Sequence, residues 1–503
     1  MIRQNIIANF IGRAWGIVSV YLFIPLYLKF LGIEAFGLVG FYSTLLGVLV
    51  FADMGLTATL SREMARLSVL KDTAGKMRDL LRTYESVYLF ISLALASIIW
   101  VFAPFIAERW LRADTLAPRE IAAAIRLMGI AIALQLPSGL YNGGLLGLQK
   151  QVLSNSVQIA WGVLRGVGAV LVLWLFSPTI FAFAFWQLFS NAVYCFAVRL
   201  SLWRALPCAD PRPRFNRMLI RDTWRYAAGM TGMTFIGILL MQTDKLVVSK
   251  MLPLEILGYY TLACTVGSVP VMLANPIGIA VFPRLTGLVA MGDRISLTEV
   301  YHRMCALVAV AVIPGSLTLA LFANDFILAW TGSAAAAHLG GLVATLLLAG
   351  QLMQAIAGIP YYVALAHGNV RLYLYIGAVS IVLVVPLLII LIRKIGVVGA
   401  GLSWLVMNLC TLPLYLYFFH RQFLPGELRR WCLHDIGLPL LATLPCVLLG
   451  RWLVPHTTSR LLTFFLIALV WCAATAASAL GIPELRSEFI IKTKKLLRVF
   501  NEI

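Results

Sequence analysis

Arg165 stands at the middle of an apolar run, residues 154–176, where a positive charge is hard to place. A cation at the centre of a bilayer helix costs about 2.5–3.5 kcal/mol on insertion scales, whereas each Leu-like residue returns only about 0.3–0.6. Most of the large apolar residues of the run are needed to offset it. Trp161 and Gln158 precede Arg165 by four and seven residues and share its helical face. That face joins an anion donor to an aromatic platform of the kind that stacks on sugar rings. The competing reading is an Arg buried against a carboxylate for packing alone.

Other charges fall inside apolar runs as well. Arg13 stacks above Asn9 and Asn5, Arg126 lies in the outer part of run 121–147, and Lys245 shares a face with Thr231 and Thr234. Lys29 and Lys250 sit near run ends, where long side chains snorkel to the headgroups. Against these stand two clear in-run carboxylates, Asp53 and Asp244. If the cations face one cavity it is net positive and attracts an anion. The two Asp residues are expected to pair with the Arg residues; the alternative is that they take a proton for coupling.

These side chains need a membrane-spanning scaffold. The chain has 503 residues, 61% apolar and 12% charged, with a mean hydropathy of +0.91. A soluble fold of this size needs far more polar surface. Apolar runs of about 20 residues recur from end to end, long enough to cross a hydrocarbon layer as helices. We read fourteen: 8–31, 37–60, 84–106, 121–147, 154–176, 179–198, 226–250, 258–283, 304–324, 340–366, 372–392, 397–419, 435–454 and 461–481. The net charge of +19 would suggest nucleic acid on a soluble protein, but here most of the forty Lys and Arg gather at alternate run ends. The basic stretches 62–82, 199–225 and 484–498 dominate. By the positive-inside rule both termini are expected in the cytoplasm, and no nucleic-acid partner is expected. The first run is too long for a signal-peptide core, so it is kept as a span. The eight Cys lie in spans or expected cytoplasmic loops, which predicts free thiols, and the six His show no metal-ligand spacing.

Two short stretches repeat. KFLGIEAFG (29–37) and KMLPLEILG (250–258) share the pattern K-x-L-x-x-E-x-x-G, each after an odd-numbered run and before one entering from outside. SPTIFAFAFWQL (177–188) also aligns with IGVVGAGLSWLV (395–406), matching Trp186 to Trp404. Repeats with an even number of spans are parallel, related by an axis along the membrane normal. The expected fold is an all-α polytopic membrane protein of about fourteen helices: two parallel six-helix halves plus two extra C-terminal helices. The expected parts are a half at 1–199, a basic linker at 200–225, a second half at 226–420, extra spans at 421–481 and a basic amphipathic tail at 482–503. Pro207, Pro211 and Pro213 interrupt the linker, and Phe215, Met218, Leu219 and Trp224 among Arg residues predict a basic piece on the inner membrane surface. Spans 13 and 14 carry few polar residues besides Arg451 and are expected to pack against the core or lipid.

Pro25, Pro137, Pro270, Pro276, Pro360 and Pro386 interrupt span interiors, as in transporters whose broken helices line the path. Gly139, Gly143 and Gly147 predict a close helix approach.

The stretch FADMGLTATLSREMARL (51–67), with Asp53, Gly55, Arg62 and Glu63, resembles the second-span region of polysaccharide transporters. ANPIGIAVFPRLTGL (274–288), with Phe282–Pro283, resembles their eighth span, and FILAWTGS (326–333) the outer turn after it. GLQKQVLSNSVQ (147–158) resembles their turn between spans 4 and 5. The chain is similar to the O-antigen (Wzx-type) flippases of the multidrug/oligosaccharidyl-lipid/polysaccharide exporter superfamily. That resemblance implies a carrier, not an enzyme, moving an undecaprenyl-pyrophosphate-linked oligosaccharide between leaflets of a bacterial inner membrane. It implies polysaccharide polymerase and chain-length proteins as partners, no cofactor, and coupling to an H+ or Na+ gradient left open. Arg165, Arg126, Arg13, Lys245, Trp161 and Gln158 are then the candidate cavity residues, since Arg forks suit pyrophosphate oxygens. A drug exporter of the same superfamily would instead need a carboxylate-lined site. A membrane glycosyltransferase or polymerase would need acids or bases in a long outer loop, and the expected loops near 107–120 and 325–339 have little room.

Overall fold

The computed structural model describes residues 2–207, 213–369, 371–454 and 459–482. Within α1 and α7 some side chains lie outside the described residues, Arg13, Thr231 and Thr234 among them. All regular structure among the described residues is helical. The helices divide into two compact units at Gly258/Tyr259.

The first unit holds α1 (Ile2–Leu49), α2 (Leu56–Ser68), α3 (Ala74–Phe105), α4 (Pro118–Gly147), α5 (Gln151–Leu175), α6 (Ile180–Ala205) and α7 (Arg217–Met251). Thus α7, read from the sequence as the first span of the second half, packs in this unit beside α1. A further helix, α8 (Leu254–Gly267), crosses the division. The second unit contains α9 (Val269–Met291), α10 (Arg294–Leu321), α11 (Ala323–Thr331), α12 (Ala334–Ile356), α13 (Gly358–Ala366), α14 (Arg371–Ile395) and α15 (Val397–Phe423). A single turn, α16 (Leu428–Arg430), then runs through a π-helical stretch, Trp431–Gly437, into α17 (Leu438–Leu453), and α18 (Arg460–Leu480) follows.

Twelve helical segments among the described residues are long and apolar enough to span a membrane. The fourteen expected spans map onto them once two features are recognised. Spans 1 and 2 share α1, which is broken at Gly32 (φ 78°, ψ 171°), a conformation open to glycine because it lacks a β-carbon. Span 7 lies in α7, a 35-residue helix that is not one of the twelve.

Breaks fall where the sequence interrupts its own helices. Span 2 is discontinuous: a 3-10 turn, Val50–Asp53, ends in left-handed Met54 and Gly55, and α2 begins at Leu56. The Asp-Met-Gly triplet and not a proline makes this break. Pro270 follows the break at Ser268 between α8 and α9, and Pro360 lies in the first turn of α13, after the break at Ala357. Proline costs nothing there, because first-turn N–H groups have no helical partner. Pro25, Pro137, Pro276 and Pro386 lie inside helices that continue through them.

The linker departs from expectation in one respect. Helix α6 ends at Ala205, residues 213–216 are non-helical, and the basic stretch from Arg217 is the first part of α7, not a separate surface piece. Its entry docks on α3, where the Arg214 N–H donates to Asp79 (2.7 Å) and the Asn216 N–H to the Thr83 hydroxyl (2.9 Å). The tail from 483 onward and Cys208 lie outside the described residues; the other seven cysteines are free thiols.

The repeated K-x-L-x-x-E-x-x-G turns meet. A β-carbon on Gly37 would fall closer than 3.0 Å to the Leu254 carbonyl oxygen, and one on Gly258 equally close to that of Ile33. The segment 109–115 ties both turns together. Glu34, buried in the first, accepts from the N–H groups of Asp114 (2.7 Å) and Thr115 and from the Thr115 hydroxyl. In the second, Leu254 donates its N–H to the Arg112 carbonyl (2.7 Å) and Lys250 its ammonium to that of Arg109.

Candidate functional site

Packing brings Arg165 and Trp161 together as the four-residue spacing on α5 requires. The guanidinium carbon lies 5.3 Å from the Trp161 ring centre, and Trp161 itself stacks on Tyr194 of α6 at 4.4 Å. The Arg165 Nε–H donates to Oε1 of Gln187 on α6 at 2.7 Å. Gln187 is fully buried and has no place in the sequence reading. With Nε taken and the plane held on an indole, the two terminal amino groups keep their donors and a fixed orientation. A second polar group follows: Asn191, buried one turn after Gln187, donates to the Ala131 carbonyl of α4 at 3.1 Å.

The other candidates whose side chains are described do not join this cluster. Gln158 is exposed towards the start of α5. Arg126 faces α3, its guanidinium 5.2 Å from the Trp100 ring centre and its Nε buried without a hydrogen-bond partner. Lys245 reaches Gln242, one turn back on α7, at 3.5 Å. Arg13 lies on α1 with its side chain outside the described residues, and Asp244 is half-buried on α7.

Asp53 corrects the expectation of a carboxylate–Arg pair. It accepts from the hydroxyls of Thr57 and Tyr88, and Thr57 and Tyr88 also lie 3.0 Å apart. The reason is the helix break: Asp53 ends the 3-10 turn, so its side chain lies over the start of α2 and against α3. Two hydroxyls supply its hydrogen bonds there in place of a guanidinium. The glycine motif on α4 completes this corner, because Thr57 and Ser61 of α2 press backbone atoms against Gly143 and Gly147.

A second carboxylate, Glu85, is buried near the start of α3. It receives Tyr141 (2.9 Å), Arg199 (2.8 Å) and Trp203 (2.8 Å), which binds α3, α4 and α6 at one point.

In the second unit, Arg451 of α17 pairs with Asp325 of α11 at 2.5 Å, so span 13 packs on the core through a charge. The expectation that spans 13 and 14 carry little else polar is corrected by Asp435. It is buried in the π-helical stretch and bonded to His302 of α10.

A family model described as "Polysaccharide biosynthesis protein" matches residues 2–289, more than half of the chain. The chain belongs to this family. A Shigella flexneri relative named "Putative O-antigen transporter" is 22% identical over 431 residues, covering 84% of this chain and 98% of its own. Among solved structures, the lipid II flippase MurJ in an inward closed conformation superposes with a TM-score of 0.70 at 13% identity, covering 94% of this chain and 98% of that one. An inward-facing multidrug resistance MATE transporter of the MOP superfamily gives 0.68 at 12%, covering 83% and 96%. The chain therefore has the fold of membrane flippases and transporters and is a multi-pass membrane protein.

The sequence signals for Gln187, Asn191 and the buried carboxylates are faint. Gln187 and Asn191 are four apart on α6 and mark a polar stripe in an aromatic-rich helix, which periodicity alone could have shown. Tyr88, Glu85 and Asp435 carry no local mark, since each is defined by a partner on another helix.

Proposed function

We propose that this protein is a flippase of the bacterial inner membrane. It carries an undecaprenyl-pyrophosphate-linked oligosaccharide, an O-antigen or related repeat unit, from the inner to the outer leaflet by alternating access. The observation that carries this reading is the mounting of Arg165. A guanidinium held in the bundle by a neutral amide and an indole has no carboxylate against it among the described residues, so its charge is left for a ligand. Its terminal amino groups make no hydrogen bond to described residues. Such a group suits a pyrophosphate, whose oxygens accept two parallel N–H bonds. The relative named as an O-antigen transporter supports the sugar class.

The reaction is movement without chemistry, so no cofactor is required. An H+ or Na+ gradient is the driving force to test, with both termini in the cytoplasm and polymerase and chain-length proteins receiving the product.

A leaflet-resolved assay in liposomes with a defined lipid-linked oligosaccharide tests the reading. A charge-assisted hydrogen bond contributes roughly 1.5–3 kcal/mol, so Arg165→Ala should slow flipping about ten- to a hundredfold at normal protein level. Arg165→Lys should recover part of this, since a point charge cannot fork. A full rate with Arg165→Ala overturns the proposal. Dependence on Asp53 or Asp244 instead would point to a cationic drug as the substrate.

A further inference from the structure

Each nitrogen of the His302 imidazole faces a carboxylate oxygen. Nδ1 lies 2.6 Å from Oδ2 of Asp435, and Nε2 lies 3.0 Å from Oε2 of Glu427. A neutral imidazole has one N–H, and an ionised carboxylate only accepts. Two such bonds in a row therefore need two protons among three groups. The cluster holds either an imidazolium between two carboxylates or a neutral imidazole beside one carboxylic acid. With one proton fewer, a lone pair on nitrogen faces a lone pair on oxygen and one bond becomes repulsive.

The surroundings decide which bond yields. His302 and Asp435 are buried, while the Glu427 side chain is 31% exposed, so Glu427 is the path to water. Tyr301 of α10 bonds to Nε2 of His420 on α15 at 3.0 Å, and the ring of His302 packs edge-on against Tyr301. Arg303, Arg421, Arg429, Arg430 and His434 on the same elements are exposed.

We propose that His302, Asp435 and Glu427 form a proton-binding site that clasps the Leu428–Gly437 segment to α10 and loosens it when the second proton leaves for water. The site rests on this geometry and not on the substrate assigned above.

A nitroxide on Cys432, which is exposed on the segment, reports the clasp. The full chain is used in lipid nanodiscs, with its other cysteines changed to Ser except Cys305, which is buried beyond reach of the label. Between about pH 5 and 9, the range that brackets histidine titration, the label should pass from immobilised to mobile with one midpoint. In Glu427→Gln the carboxamide donates to Nε2 while Nδ1–H donates to Asp435, so no second proton is needed. That variant should stay immobilised across the range. A label in the parent that ignores pH, or a Glu427→Gln label that titrates or is mobile throughout, overturns the proposal.

Discussion

Gly37 and Gly258 are reciprocal: each lies against the carbonyl four residues before the other, at Leu254 and at Ile33. Both glycines end a K-x-L-x-x-E-x-x-G turn, and Ile33 and Leu254 hold the same place in the two copies. Exchange of one partner for the other is the mark of a twofold interface, here between two turns of one chain. It is the arrangement that a duplication with parallel repeats would leave at the turn.

Gly37→Ala and Gly258→Ala should each destabilise by about 1–3 kcal/mol, because the obstacle is backbone and cannot swing aside. Gly287→Ala, with open space around it, is the control expected to be neutral. Thermal unfolding in detergent compares the three; equal midpoints would remove the close approach.

Glu34→Gln replaces a carboxylate that accepts from two N–H groups and a hydroxyl. Hydrogen exchange at Asp114 and Thr115 should quicken about tenfold, the equivalent of one weakened charge-assisted bond. Unchanged protection there would mean that the segment is held by its contacts to Ser249, Lys250 and Leu254 and not by Glu34.

Asp53→Ala leaves the hydroxyls of Thr57 and fully buried Tyr88 with no carboxylate to bond. Roughly 1–3 kcal/mol should be lost for each buried group left unsatisfied. Asp53→Asn should lose less, since its carbonyl still accepts. A double-mutant cycle with Tyr88→Phe measures the shared part, and zero coupling would dissolve the pair.

Gln187→Glu places a carboxylate where the neutral amide holds Arg165. Folding should survive, because an ion pair replaces a hydrogen bond. Flipping should fall about tenfold or more, since the guanidinium then shares its charge. Retained flipping at normal protein level would separate the Arg165 charge from transport.

Much of this was legible in the chain because apolar length and helical spacing are local. The spans, the Arg165–Trp161 stack and the Gly143/Gly147 approach all follow from residues within a few turns of one another. Asp53 was visible as a costly charge, but not its partner, since Tyr88 is brought to it by the break after Val50–Asp53. Glu85, His302 and Asp435 were invisible for the same reason: burial of a polar group is decided by helices far along the chain. The repeated turns announced themselves as punctuation, yet nothing in either copy says that it rests on the other.

The π-helical stretch Trp431–Gly437 has a consequence for the tolerated length of the chain. A π-turn holds one residue more than an α-turn, and each residue of an α-helix turns the chain by about 100°. Deleting a single position there would restore ordinary winding and swing Asp435 away from His302. The exposed residues around it, Cys432, Leu433 and His434, are therefore free to change in kind but not in number. Among relatives, this stretch should accept substitutions readily and insertions or deletions hardly at all.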